Sequence, residues 1–125
     1  MDQGALGRDY EDGEIIVRQG EVGDSMFVIQ EGQIEVLGET DGKHVRLRIA
    51  HEGEFMGEMA IFEHVNRSAT LRAMGRVRVL TIDKKNFLRR VHEDPSLAFR
   101  VVKTMSSRIR ELSDEIARLK NEPGN

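Results

Sequence analysis

The 125-residue sequence contains no cysteine, which excludes disulfide scaffolds, cysteine-zinc sites and thiol chemistry. It has no apolar run approaching the roughly 20 residues that a bilayer-spanning helix needs. Its first residues do not show the basic and then apolar pattern of a secretory signal. The sequence therefore predicts a cytoplasmic protein without membrane contact. A chain of this length can bury one hydrophobic core but not two.

Motifs of common enzyme chemistry are missing as well. There is no GxxxxGK[ST] loop, no GxGxxG, and no serine in a nucleophile-elbow context. The histidines lack metal-ligand spacing, which argues against a metal-dependent cupin enzyme of barrel-like outline. We expect no enzymatic activity, no metal and no cofactor. The four histidines are His44, His51, His64 and His92.

The net charge of −3 is small and argues weakly against nucleic acid as a partner. It conceals an uneven distribution along the chain. Residues 1–66 carry 15 acidic and 5 basic side chains, whereas residues 67–110 carry 12 basic and 3 acidic ones. The basic part begins at Arg67, although most of its charges are expected to lie on solvated faces.

Short segments rich in branched residues, separated by glycine, fill the first two thirds of the chain. Apolar and charged residues alternate in Gln33–Val36 and Val45–Ile49, as in half-buried antiparallel strands. Glu31-Gly32 and Asp41-Gly42 are candidate turns. These patterns predict a compact antiparallel sandwich or barrel. The predicted strands cover residues 14–18, 25–30, 33–37, 45–50, 67–73 and 77–82.

Helices are predicted after Ile82, where glycine disappears and apolar residues recur at three and four. Asp83 is a candidate N-cap for a short helix. Asp94 followed by Pro95 suits the N-cap and first position of a second helix. That helix would reach about Asn121, a length of roughly 40 Å. We predict one domain, with the roll and short helix in residues 1–93 and the long helix in residues 94–125.

A regular apolar pattern runs along the long helix at alternating spacings of four and three, which is a heptad repeat. We call this set the seam. It predicts a parallel coiled-coil homodimer; the alternative is an amphipathic helix lying on its own sheet, at least over its first half. The seam consists of Ala98, Val102, Met105, Ile109, Leu112, Ile116 and Leu119.

The most informative stretch, FMGEMAIFEHVNRSAT at residues 55–70, is called the cassette below. Gly57 lets the backbone approach a ligand closely. A helical turn over Glu58–Phe62 would direct amide groups at an anion, and Arg67 offers a planar fork of donors for phosphate. Glu58 would repel phosphate and therefore suits a sugar hydroxyl. Phosphate and ribose together indicate a nucleotide.

The cassette resembles the phosphate-binding cassette of the cyclic nucleotide-binding domain family, close to F-G-E-[LM]-A-L followed by P-R-S/T/A-A. The resemblance extends from about Gly13 to Leu119. It implies an eight-stranded antiparallel β-roll followed by a short and a long helix, as in catabolite-activator-type regulators. Two residues depart from the pattern: Met56 is inserted before Gly57, and Asn66 replaces proline before Arg67.

The resemblance assigns a phosphate ligand, Arg67, and a ligand of the ribose 2′-hydroxyl, Glu58. It also implies a backbone cradle at the start of the helical turn, formed by Gly57, Met59 and Ala60, followed after the arginine by Ser68 and Ala69, of which Ser68 bonds phosphate or base. Base contacts are implied from the strand before the cassette, at Leu47 and Arg48, and from the long helix, at Arg108, Leu112 and Ser113.

The resulting prediction is a cyclic AMP sensor that transmits binding through the long helix of a homodimer. Cyclic GMP is the alternative ligand, and a non-binding dimerisation module of a larger regulator is the alternative function. DNA binding by this segment is not expected, because no helix-turn-helix follows the long helix. Taken singly, Arg67 could be a surface residue paired with Glu63, and Glu58 could be a helix-capping carboxylate.

Overall fold

The computed structural model describes residues 7–63 and 66–121. Contacts divide the chain after Asn86 into two compact units. Among its described residues, the first unit contains six strands and one short helix, α1. Their bounds are β1 Arg8–Tyr10, β2 Ile15–Val17, β3 Ser25–Thr40, β4 Lys43–Ala50, β5 Phe55–Met56, α1 Met59–Phe62 and β6 Thr70–Asp83.

All strand pairings in the described sheet are antiparallel, and its main order is β1-β6-β3-β4. β2 also pairs with β6, and β5 pairs with β3. The two long central strands, β3 and β6, hold the other four in place. The predicted fold class, an antiparallel β-roll followed by helices, is therefore confirmed.

The number of strands differs from the expected eight because β3 and β6 each continue through a predicted break. The Glu31-Gly32 turn was wrong: both residues lie inside β3, where the pairing with β6 shifts register. Gly32 adopts a φ of 89°, which permits an irregularity without ending the strand. Pairing with a long neighbouring strand thus overrides the local turn signal.

The second predicted turn is a hairpin. Asp41 and Gly42 both have positive φ, 53° and 75°, as a two-residue type I′ connection requires. They connect β3 to β4, with Thr40 opposite Lys43. The local sequence alone sets this turn, which is why it could be predicted.

The core of the first unit consists of apolar side chains contributed by its strands. Ile34 and Ala50 are completely buried. Because residues on one face of a strand recur every second position, each strand contributes to this core while keeping charges outside. The cluster contains Tyr10, Phe27, Ile29, Ile34, Ala50, Met56, Leu71, Ala73, Val77 and Val79.

Two helices follow the sheet, α2 at Lys84–Glu93 and α3 at Ser96–Lys120. Asp83 caps α2 as predicted, since its Oδ1 accepts a hydrogen bond of 2.8 Å from the amide of Asn86. The predicted start of the long helix was wrong by one residue: Pro95, not Asp94, occupies the N-cap position of α3, and no side chain caps it. Asp94 Oδ1 accepts a hydrogen bond of 3.2 Å from the amide of Ser96. Across residues 7–63 and 66–121, no helix combines the length and apolar character needed to cross a membrane.

The seam of α3 is largely exposed in the single chain. Val102, Ile109 and Leu112 each expose 64% of their surface, Ile116 exposes 54% and Leu119 exposes 46%. Elsewhere on α3 only Val101 is buried among the described residues. A long helix with an uncovered apolar face is not stabilised by its own packing along that face.

Candidate functional site

The cassette begins with β5, and Gly57 directly follows that strand. Gly57 has a φ of 77°, a left-handed conformation that favours glycine, and α1 starts two residues later. The amide of Ile61 donates to the carbonyl of Glu58 at 2.9 Å, so the predicted helical turn is present. Ala60 and Ile61 are buried and hold α1 against the roll, while Met59 is half exposed.

Glu58 is one of two buried polar or charged side chains among the described residues, with 6% of its surface exposed. It occupies the N-cap position of α1, but its side chain makes no capping hydrogen bond to the described residues of that helix. Burial of an acidic group is costly unless other groups compensate for it. Helix capping therefore does not account for a glutamate at this position.

The backbone of Arg67 is held by the loop between β2 and β3. Its amide donates to the carbonyl of Glu21 at 2.7 Å, and its carbonyl accepts from the amide of Gly20 at 2.8 Å. An isolated bridge joins Val22 and Asn66 next to these contacts. Arg67 lies before the start of β6, outside the strands of the sheet. These two backbone hydrogen bonds therefore fix the position from which its side chain extends.

The guanidinium of Arg67 is positioned by three groups. Nη1 donates to the carbonyl of Gly57 at 3.3 Å, and Cζ lies 5.0 Å from the centre of the Phe27 ring. Gly23 lies so close that an added Cβ would come within 2.2 Å of Nε. Arginine at this position is therefore oriented before any ligand binds, in the same cassette as Glu58.

Burial lowers the pKa of the Arg67 guanidinium, and the carboxylates of Asp24 and Glu21 act in the opposite direction. An arginine stays protonated throughout the physiological range. The carboxylates that influence the pKa of Arg67 thus belong to the β2–β3 loop. They are not that of Glu63, the partner considered above. A partly desolvated permanent cation is well suited to bind phosphate.

The residues after Arg67 lead into β6. Ser68 is exposed, Ala69 is partly buried, and Thr70 is 1% exposed. The hydroxyl oxygen of Thr70 accepts a hydrogen bond of 2.9 Å from the amide of Gln19. The β2–β3 loop is therefore attached to the cassette at both Arg67 and Thr70. Ser68 is accessible, and its ligand role stays a prediction.

The base contacts predicted on β4 have different surroundings. Leu47 is 60% exposed, with its side chain beside Gly38. Arg48 forms an ion pair with Glu54 at 2.9 Å, and Glu54 also accepts a hydrogen bond from the amide of His51. Burial raises the pKa of Glu54, but these hydrogen bonds outweigh it and the pKa is lowered. A base contact from Arg48 would compete with this pair.

The predicted base contacts on the long helix belong to the second unit. Leu112 is 64% exposed, Ser113 is exposed and Arg108 is partly buried. Their role toward a ligand stays a prediction.

No group of three or more histidine or acidic side chains suited to a metal ion occurs within residues 7–63 and 66–121. His64 lies outside the described residues.

Sequence reasoning missed the groups that orient Arg67. Gly23 and Phe27 lie some 40 positions earlier in the chain, and neither carries a local signal of a contact with the cassette. Phe27 has the ordinary pattern of a core residue in a strand. Only the pairing of β3 with β5, which sets Phe27 opposite Met56, brings it beside the cassette.

The cassette thus brings together a buried carboxylate, an oriented arginine and a left-handed glycine at the end of a strand of the roll. Residues 7–94 match the cyclic nucleotide-binding domain family, and the chain belongs to that family. A putative potassium channel protein of Rhodopseudomonas palustris is 36% identical over 118 residues, covering 92% of this chain. This chain spans only 28% of that relative.

Solved structures show the same fold. The catabolite activator protein of Thermus thermophilus superposes with a TM-score of 0.83 at 24% identity, covering 90% of this chain and 54% of the other. The cAMP-bound form of an EAL enzyme superposes with a TM-score of 0.64 at 31% identity, over 92% of this chain and 31% of the other. The same enzyme has been solved in a cGMP-bound form.

Proposed function

We propose that this chain is a sensor domain that binds cyclic AMP in the cassette and transmits binding through α3 of a homodimer. The observation that carries the proposal is the orientation of Arg67 next to Glu58. Arg67 Nη1 reaches the carbonyl of Gly57, the residue directly before Glu58. A guanidinium that can bind phosphate and a carboxylate that can accept a hydrogen bond from a ribose hydroxyl therefore lie in one short segment.

The division of roles between the two side chains follows from their charge. The guanidinium attracts the singly charged cyclic phosphate and can donate two parallel hydrogen bonds to it. The Glu58 carboxylate repels phosphate but accepts a hydrogen bond from the 2′-hydroxyl, which a cyclic 3′,5′-nucleotide leaves free. A ligand that satisfies both groups carries phosphate and an unmodified ribose at a fixed distance, as a cyclic nucleotide does.

Cyclic AMP is preferred over cyclic GMP because the sequence resembles cyclic AMP receptors that have serine after the cassette arginine. Ser68 is exposed, so its hydroxyl is accessible to a ligand. The related EAL enzyme has been solved with either nucleotide, which keeps cyclic GMP as the second candidate. The distinction depends on contacts with the base, not on the phosphate and ribose ligands.

A calorimetric titration with cyclic AMP and cyclic GMP tests the proposed ligand. We expect saturable binding with one site per chain and a lower dissociation constant for cyclic AMP. Tighter binding of cyclic GMP would mean that cyclic GMP is the ligand, and the role of a nucleotide sensor would remain. If neither nucleotide bound, the domain would be a non-binding dimerisation module and the proposal would be wrong.

The exposed seam supports the proposed homodimer. Ile109 and Ile116 at a positions, with Leu112 and Leu119 at d positions, favour two parallel strands. The exposure of these four side chains in one chain is what a coiled-coil interface has before its partner is added. A second copy supplies the matching seam in the same register.

Transmission requires that the nucleotide interact differently with two arrangements of α3. Leu112 belongs to both the predicted base contacts and the seam, so a ligand near it would influence the dimer contact. Hydrogen exchange of the α3 amides, measured with and without cyclic AMP, tests this coupling. We expect slower exchange with ligand; identical exchange would show that α3 does not transmit binding.

A further inference from the structure

We infer that Gly23 is a positioning residue for the nucleotide site: the absence of a side chain at residue 23 leaves the space in which the Arg67 guanidinium lies. The binding part of this inference rests on the proposed function. The positioning part concerns the unliganded chain alone and is tested separately.

The inference starts from the space around residue 23. A Cβ added to Gly23 would lie 2.2 Å from Nε, 2.3 Å from Cζ and 2.3 Å from Nη2 of Arg67. All three nearest atoms belong to the same guanidinium. These distances are far below the separation of atoms in van der Waals contact, so alanine at residue 23 and the present position of Arg67 exclude each other.

Backbone conformation does not require glycine at this position. Eight described glycines have a positive φ, and Gly23 is not among them. A residue with a side chain could therefore adopt the backbone of residue 23 without the strain that left-handed conformations cause. The contact with Arg67 is the reason that remains for glycine here.

The other contacts of Arg67 limit how its guanidinium can respond. Phe27 lies against one face, and an added Cβ at Gly57 would come within 2.7 Å of Nη1, so the arginine is closely surrounded on a second side. The backbone is held by Glu21 and Gly20. A side chain at residue 23 would therefore force the arginine side chain to rotate out of its present position and would disturb its contacts with Gly57 and Phe27, while the backbone stays in place.

This displacement separates Arg67 from the cassette position at which phosphate is expected. Hydrogen bonds to charged groups depend strongly on distance and angle. We expect Gly23→Ala to lower the affinity for cyclic AMP about 10- to 100-fold, the usual effect of losing one such bond. The chain should remain folded, because the group displaced is the end of a flexible side chain.

Gly38→Ala is the matched control. Gly38 also lies outside the positive-φ set, and its added Cβ would meet Leu47 at 3.4 Å, an ordinary contact. Both substitutions therefore restrict the unfolded chain equally. Because Leu47 is also a predicted base contact, Gly38→Ala serves as the control for the position of Arg67 and not for affinity. A loss of affinity in Gly23→Ala with Arg67 still in its wild-type position would overturn the inference.

The position of Arg67 can be followed without ligand by the NMR signal of its Nε–H group, assigned by its disappearance in Arg67→Ala. The nearby ring of Phe27 influences that signal. We expect it to shift in Gly23→Ala and to stay in place in Gly38→Ala. An unchanged signal in Gly23→Ala would contradict the positioning role, whether or not the wild-type chain binds a nucleotide.

Two further outcomes have definite meanings. If the signal shifted but cyclic AMP bound as tightly as to the wild type, the proposed importance of this position for binding would be wrong. If Gly23→Ala failed to fold, the double variant Gly23→Ala/Arg67→Ala should fold, since the three atoms nearest to the added Cβ are removed. Failure of the double variant as well would show that residue 23 has a different structural role.

Discussion

The cassette and the seam of α3 differ in how many of their contacts a single chain provides. In the cassette, Arg67 is held through its backbone by the β2–β3 loop and through its side chain by Gly57 and Phe27, and Glu58 is buried. In the seam, Ile109 and Ile116 expose 64% and 54% of their surface. One region is organised within the chain, and the other presents an apolar face without cover.

This difference separates two requirements of the proposed sensor. A ligand site that is oriented in advance loses little conformational freedom on binding, so each chain should bind nucleotide by itself. An apolar face gains stability only when another surface covers it, so the seam should depend on protein concentration. Variants in one region should therefore leave the other region formed, and any change in nucleotide affinity that a seam variant causes measures the proposed coupling through α3.

Arg67→Ala is expected to have the largest effect. Removing the guanidinium eliminates the permanent charge and the paired hydrogen bonds to phosphate, which should weaken cyclic AMP binding at least about 100-fold. Calorimetry measures the affinity, and circular dichroism checks that the fold persists. Arg76→Ala is the control, since Arg76 is an exposed arginine with a long contact of 3.5 Å to Asp9. Unchanged affinity in Arg67→Ala would refute the assignment.

Ile116→Asp should convert the dimer to a monomer, because a carboxylate at an a position cannot be buried in a paired seam without a large desolvation cost. Sedimentation at micromolar concentrations follows the assembly, and calorimetry should show that binding per chain persists. Ala117→Asp introduces the same charge at the neighbouring exposed position and should leave the dimer intact. A wild-type chain that sediments as a monomer at tens of micromolar would end the dimer proposal.

Glu58→Gln should weaken cyclic AMP about tenfold through loss of a charged acceptor for the ribose hydroxyl. The 2′-deoxy analogue provides the sharper comparison, since it should bind less well to the wild type and almost equally well to wild type and variant. Exposed Glu52 supplies the control, Glu52→Gln. Equal affinity of the wild type for both nucleotides would remove the ribose role from Glu58.

Phe27→Leu should have the smallest effect, a several-fold loss of affinity, since a cation and an aromatic face attract by about 0.5–2 kcal/mol. Phe27 also belongs to the core, so the substitution lowers stability as well. Tyr10→Leu, in the same core cluster, should lower stability without changing affinity. If both variants weakened binding alike, the loss would come from core packing and not from the ring beneath Arg67.

The cassette could be predicted because its chemistry is local in sequence. Gly57, Glu58 and Arg67 lie within eleven positions, and each residue type has a recognisable use. The caps of α2 and the turn at Asp41-Gly42 were predictable for the same reason. These features depend on backbone conformation and hydrogen bonds among residues close together in the chain.

The continuity of the long strands and the support of Arg67 could not be predicted in this way. Glu31-Gly32 has the composition of a turn, yet pairing with β6 carries β3 through it. Gly23 and Phe27 reach Arg67 only because the sheet brings distant segments together. The domain division at residue 93 stays a prediction. The ligand roles of Leu47 and Arg108 stay predictions as well, since they concern contacts with a nucleotide.

NMR spectra of the chain recorded with and without cyclic AMP test the central claim most directly. We predict that the largest changes occur at the amides of residues 57–61 and at the Nε–H group of Arg67, because these groups surround the expected phosphate and ribose. Saturation with one nucleotide per chain should accompany them. No change on adding cyclic AMP, or changes confined to residues outside the cassette, would contradict the proposed site.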